Sequence, residues 1–424
     1  MLYAILLGVV LGARIQEEPA PPPRLDPPPA KSAPRPQAVE PGYRYNLSHP
    51  AHLDSLGIAD LGIGAMDGLH AALRDDGHDS APLRTLKWGL SFWVGAAVTH
   101  VCHEYGHVCH LSRAGVNDAV LGEVNEPFND RDDATLGRLF LQGLGPTTGR
   151  AISLSEDDWG EVQAQFEGRP EAFNRYLMMA EAGGLNQEQV MGMRYAQRLH
   201  QGRLSYLDTA SYLWVSSGTL LYPATIEESD IADYLDRLGR NGYSSSAGQL
   251  KMLSALRFVG GTGLASLRGA WHGLLGQAGG FVDPLSIGRE NGLRLYWPEV
   301  ESWLTTAGPT LQLGVPLRWS GWTALPSYER NFASGGTEHE AGLRLGGPVL
   351  AILWLEAGYF ASDRGGWWRT VELQLRPAPW MAVVVGLEEG RGDTFRRDAF
   401  GAANQALEED ERSVLLGLRF HFTF

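Results

Sequence analysis

The chain closes on Ser413-Val-Leu-Leu-Gly-Leu-Arg-Phe-His-Phe-Thr-Phe424, and the period of that stretch is two. Val414, Leu416, Leu418, Phe420, Phe422 and Phe424 alternate with Ser413, Leu415, Gly417, Arg419, His421 and Thr423. Successive side chains of an extended strand project to opposite faces, so this spacing predicts a strand with one apolar face and one mostly polar face. The same alternation appears in Leu311, Leu313, Val315, Leu317 and Trp319, and again in Val371, Leu373 and Leu375. Further candidates are 292–299, 321–331, 338–346, 349–361 and 379–390, which makes about eight antiparallel strands. Two of them, holding Pro298 and Pro326, are weakened by a residue that cannot donate to a ladder.

Upstream the period changes. From about Asp54 to Gly276 the apolar pattern is helical, broken by Gly, Pro and Asp/Asn clusters. The fold class expected is therefore α+β and multidomain: a mainly helical domain over 54–285, followed by an antiparallel sheet over 286–424. Ahead of both, Leu2 to Ala13 is a 12-residue apolar run, too short to span a bilayer and suited to a signal peptide, here 1–13. The stretch 14–53 is rich in proline and reads as an extended linker.

Eight of the 13 tryptophans fall in the strand region: Trp297, Trp303, Trp319, Trp322, Trp354, Trp367, Trp368 and Trp380. Several sit at strand ends, where an indole suits a hydrocarbon–water boundary. With the terminal aromatic strand, this pattern resembles the outer-membrane β-barrels of Gram-negative bacteria. The resemblance implies export, an outer-membrane location and a lipid-facing barrel of about eight strands. So small a barrel is filled by side chains and acts as an anchor, not a pore. A soluble antiparallel sandwich is the alternative.

Composition removes other classes. With 35 Lys+Arg against 49 Asp+Glu the formal net charge is -14, which repels phosphate backbones and disfavours nucleic-acid binding. The two cysteines, Cys102 and Cys109, are seven residues apart. On a helix that separates them by about 10 Å, too far for a disulfide. No phosphate loop, nucleophile elbow or CxxC is present. The acidic run 123–133 lacks the glycine hinge of a calcium loop and reads as solvated. Oligomeric state is not legible.

The chemistry concentrates in His103-Glu-Tyr-Gly-His107, an HExxH motif at the end of an apolar helical run starting near Trp88. Residues four apart share a helical face, so His103 and His107 converge on one ion, with Glu104 beside it able to take a proton from water. Burying Glu104 uncompensated would cost several kcal/mol, and a dication relieves that cost. His100 and His110 fall on roughly the same face.

The motif resembles the zincin metallopeptidases. That resemblance implies Zn2+ on two helical histidines and a third protein ligand, Glu104 as general base, and a protein or peptide substrate. The metzincin extension is absent, since positions 110 and 113 are His110 and Arg113. A gluzincin-like arrangement places the third ligand on a later helix, and Glu181, in an otherwise apolar stretch, is the candidate. Gly183 and Gly184 beside it would permit close helix approach or a break, and Asn186 and Gln189 could cap a new helix. A competing resemblance is to the site-2 proteases, whose third ligand is an aspartate; the nearest analogue here is Asp208 in Leu207-Asp208-Thr209. Outside hydrolysis, a structural or binding protein whose metal serves folding alone remains open.

Overall fold

In a long β-strand region flanked by helices, the polarity of each strand face decides what packs on it. The computed structural model describes residues 38–39, 42–47, 54–73, 79–112, 120–122, 140, 151–153, 156–222, 229–275, 281–287, 292–378, 380–392, 394–395, 410–420 and 422–423. The expected signal peptide, nearly all of the proline-rich stretch before Ala38, and the acidic run 123–133 lie outside these residues. All described residues belong to one compact unit, Arg35–Phe424.

Eight helices are described: α1 (Ser55–Ala72), α2 (Ala81–Leu111), α3 (Glu156–Gln165), α4 (Pro170–His200), α5 (Asp208–Leu221), α6 (Asp230–Arg240), α7 (Ala247–Ala255) and α8 (Gly261–Leu274). A 3-10 turn, Leu256–Val259, joins the last two. Proline in the first turn starts both long helices, α2 and α4, where its missing N–H costs nothing.

The strands are β1 (Ala38–Val39), β2 (Gly42–Asn46), β3 (Val120–Gly122), β4 (Ala151–Ser153), β5 (Leu293–Leu295), β6 (Glu299–Thr305), β7 (Gly308–Gly314), β8 (Leu317–Trp319), β9 (Trp322–Asn331), β10 (His339–Leu350), β11 (Leu353–Ser362), β12 (Trp367–Ala378), β13 (Met381–Arg391), β14 (Asp410–Phe420) and β15 (Phe422–Thr423). Eleven of them form one antiparallel sheet, ordered β2-β14-β13-β12-β11-β10-β9-β7-β6 with β5 and β8 alongside. The order does not close: β2 and β6 are its two ends. The structure is thus α+β with an open antiparallel sheet.

Strand parity in β14 matches the sequence pattern. Leu415 is 2% exposed and Ser413 is buried, while Val414, Leu416 and Leu418 on the other face stand open, Leu416 at 43%. The register carries these faces across the sheet: Leu416 pairs with Val385, Val385 with Leu373, and Leu373 with Leu355. The outer face is therefore a continuous apolar lattice. The inner face carries charge, and α1 and α4 pack into it. Arg44 of β2 bonds Asp54 and Glu372 at 2.9 Å each, and Asp60 of α1 accepts from Arg194 at 3.0 Å and Arg419 at 2.9 Å. Charge buried this way is tolerable because each group meets an opposite one; removing one partner of such a pair typically costs 3–5 kcal/mol.

Within the eleven-stranded sheet, two strands were not expected. Gly42–Asn46, in the stretch read as linker, joins the sheet as β2, with Arg44 buried on its inner side. Glu299–Thr305 forms a hairpin with β7 although it holds two glutamates, because its acids have partners: Glu299 accepts from His200 at 2.8 Å, and Glu301 faces Arg344 at 3.6 Å. The tryptophans divide. Trp297, Trp319 and Trp380 are exposed at strand ends, whereas Trp303 and Trp368 are buried. Among the described residues no helix is long and apolar enough to cross a membrane.

Candidate metal centre

The two long helices α2 and α4 cross where neither has a side chain. A Cβ on Gly183 would lie 2.6 Å from the Gly106 carbonyl oxygen, and a Cβ on Gly106 would strike the Gly183 carbonyl. Glycine at both positions lets the backbones touch, as the pair of glycines suggested. The helix does not break there: α4 runs on to His200, and Asn186, instead of capping, bonds the Leu304 backbone through both its amide oxygen and nitrogen.

That close crossing brings the HExxH turn against one stripe of α4, residues 180, 184 and 188. His107 Nδ1 lies 2.7 Å from the Ala180 carbonyl, and His103 Nδ1 lies 2.9 Å from Glu188 Oε1. Each Nδ1 therefore donates, so Nε2 is the atom each ring would turn to a metal. Between these contacts Gly184 presents only backbone; a Cβ there would come within 2.5 Å of His107 Nε2 and collide equally with His103 Nε2.

Both Nε2 atoms meet one carboxylate oxygen. Asp230 Oδ2 lies 3.1 Å from His103 Nε2 and 3.4 Å from His107 Nε2. Asp230 is the first residue of α6, positioned by Ser229, whose hydroxyl caps the helix by accepting from the Ala232 amide. Tyr222 Oη donates to the same oxygen at 2.7 Å, and its ring stacks on His103 at 6.0 Å between centroids. His103, His107 and Asp230 form a group able to hold a metal ion. Two imidazoles and a carboxylate are a donor set of the kind that binds divalent transition-metal ions.

The electrostatics agree with that donor set. Burial alone would lower the His103 pKa, but hydrogen bonds to Asp230 and Glu188 hold it well above the usual imidazole value. His107 is raised too, its burial outweighed chiefly by Asp230, with Glu104 contributing. Asp230 is pulled below the ordinary carboxylate range: burial would raise it, and the two imidazoles prevail. Without a metal, the pocket holds a proton-rich imidazole pair against a carboxylate, the charge arrangement that a dication replaces.

The residues singled out earlier fall as follows. His103, Glu104 and His107 lie together on the last turns of α2, all buried. Glu181 lies on the correct helix but outside the three-residue cluster, with Arg237 Nη2 at 3.7 Å from its carboxylate. Burial, reinforced by Asp230 and Asp233, pushes its pKa up to about 7. Asp208 lies in a separate group: it bonds His70 Nδ1 at 3.0 Å and the Ser205 amide at 2.7 Å, beside Asp67, which is clamped by Arg198 at 2.5 and 2.6 Å. Cations and amides already satisfy both carboxylates there. His110 is buried beside Gly183, and His100 is half-buried.

Sequence reasoning missed Asp230, Glu188 and Tyr222. The one local signal for Asp230 was its place behind an N-capping serine, where an acid stabilises the helix start. No family model and no curated protein matches this sequence.

Proposed function

We propose that this chain is a zinc-dependent metallopeptidase anchored in the outer membrane of a Gram-negative cell, with His103, His107 and Asp230 as the metal ligands. The observation that carries the reading is the convergence of two Nε2 atoms on one carboxylate oxygen, with Glu104 on the same helical turn. A zinc ion bound there supplies Lewis-acid chemistry, acidifying water and polarising a carbonyl.

The chain's own groups do the rest. Glu104 accepts a proton from the attacking water and later delivers it to the leaving amine. The water oxygen bonds the carbonyl carbon, the C–N bond breaks, and the two water hydrogens end on the amine product and on the bulk as the new carboxyl ionises. Glu104 is 3% exposed, and its charge is felt at both His107 and Tyr222. Glu188 and the Ala180 carbonyl hold the imidazoles in place.

The anchor is the outer face of the open sheet, a reading supported by the sheet's inverted polarity. Val371, Leu373, Val385, Leu416 and Leu418 are exposed while Glu372, Gln374 and Ser413 are buried. Exposing such residues to water forfeits roughly 1 kcal/mol each, a loss that hydrocarbon removes. The apolar lattice stops at a row of registered charges, Arg412, Glu389 and Arg369. From Val414 to Phe420 the strand spans about 20 Å, close to the apolar band of an outer-membrane barrel.

Low exposure of the histidines favours a second reading, a metal that serves folding alone. Glu104→Gln separates the two. The peptidase reading expects zinc retained and hydrolysis of a casein or peptide-library substrate lost; unchanged behaviour supports the structural one.

A further inference from the structure

The sheet leaves a gap between β2 and β6, and helices fill it. Starting from β2, α1 packs on the strand, α2 on α1, α5 on α2, α7 on α5, and α7 returns to β6. α4 runs inside this ring, its Asn186 bonded beside the end of β6 and its His200 beside the start.

These wall helices are inverted like the strands. α1, α2, α5, α7 and the 3-10 turn after it carry Asp60, Asp67, Arg84, Lys87, Glu104, Asp208, Lys251 and Arg257, and not one of these is exposed. Apart from Thr85 on α2, the large side chains they expose are apolar: Leu61 on α1, Trp93 on α2, Leu221 on α5, Met252 on α7, and Leu256 and Val259 on the turn. A helix facing water reverses this, as α6 does, with Asp236 and Arg240 both open to solvent. None of the wall helices is long and apolar enough to cross a membrane by itself, α5 and α7 having only 14 and 9 residues.

We infer that α1, α2, α5 and α7 face lipid acyl chains and complete, with the strands, one mixed helix-and-strand ring in the bilayer. The inference rests on the lipid-facing reading of the sheet and extends it to the helical half. The occupant is hydrocarbon because the exposed faces are uncharged, and α7 and the turn after it pack against β6, at the edge of the sheet whose outer face is apolar.

The test places nitroxide labels on the full chain in phosphatidylcholine vesicles through Leu61→Cys, Met252→Cys, Leu373→Cys and Asp236→Cys, both native cysteines being buried. Collision with oxygen and with a water-soluble nickel chelate is measured for each. The expected result is that Leu61 and Met252 behave like Leu373, with nickel access at least fivefold below that at Asp236. Nickel access at Leu61 and Met252 with lipid contact at Leu373 overturns the helical wall and leaves the strand anchor standing. Nickel access at all four overturns both.

Discussion

Gly184 faces His103 across the helix crossing with nothing but backbone, so close that a single methyl group would occupy the space in front of its Nε2. Gly184→Ala should favour the helix itself by about 1 kcal/mol, yet displace both imidazoles. The expected outcome is at least a tenfold loss of zinc affinity, read by competition with a chromogenic chelator, with far-UV circular dichroism unchanged. Parent-like affinity would contradict the hollow's role.

Asp230 and Glu181 make opposite predictions. Asp230→Asn should lower zinc affinity by 100-fold or more, since the remaining amide is a poor ligand. Glu181→Gln should retain stoichiometric zinc after dialysis against a weak chelator. If the two variants exchange these outcomes, the ligand set proposed above is wrong.

Glu188 touches no metal position; it orients His103 through Nδ1. Glu188→Gln keeps a hydrogen-bonding side chain and removes the charge. Zinc affinity should fall 10–100-fold, measured by calorimetry, with a smaller loss than in Asp230→Asn.

Glu181 also gives a pH signature. Its carboxyl titrates near 7 when folded, above the unfolded value of 4.5. Between those values the folded chain binds the extra proton, so its contribution to stability is complete below pH 4.5 and is lost as pH rises through 7. Relative to the parent, chelator-treated Glu181→Gln should therefore gain about 1–3 kcal/mol between pH 5 and pH 8. Urea unfolding in detergent at the two pH values reads it; parallel profiles would refute the raised carboxyl.

Local spacing made the HExxH turn legible, because i and i+4 on a helix need no knowledge of the rest of the chain. Strand parity was legible for the same reason, and Ser413 to Leu418 alternate in burial as they do in chemistry. Asp230 was not: it stands 127 residues from His103 and enters only through the packing of α6 on α4. Glu181 attracted attention as an acid in an apolar stretch, yet the helical angle from Ala180 turns it off the stripe that meets the imidazoles. β6 escaped because Glu299 and Glu301 mask its alternation, and their partners, His200 and Arg344, come from distant elements.

Trp93 and His103 share one unbroken helix, ten residues apart. At 1.5 Å per residue that fixes the imidazole about 15 Å along the axis from the indole. Under the membrane-anchored peptidase proposed above, an indole at the hydrocarbon boundary makes α2 a ruler, and scissile bonds would be selected by their height above the bilayer. Polypeptides tethered in the same leaflet would then arrive at a high effective concentration without needing tight binding.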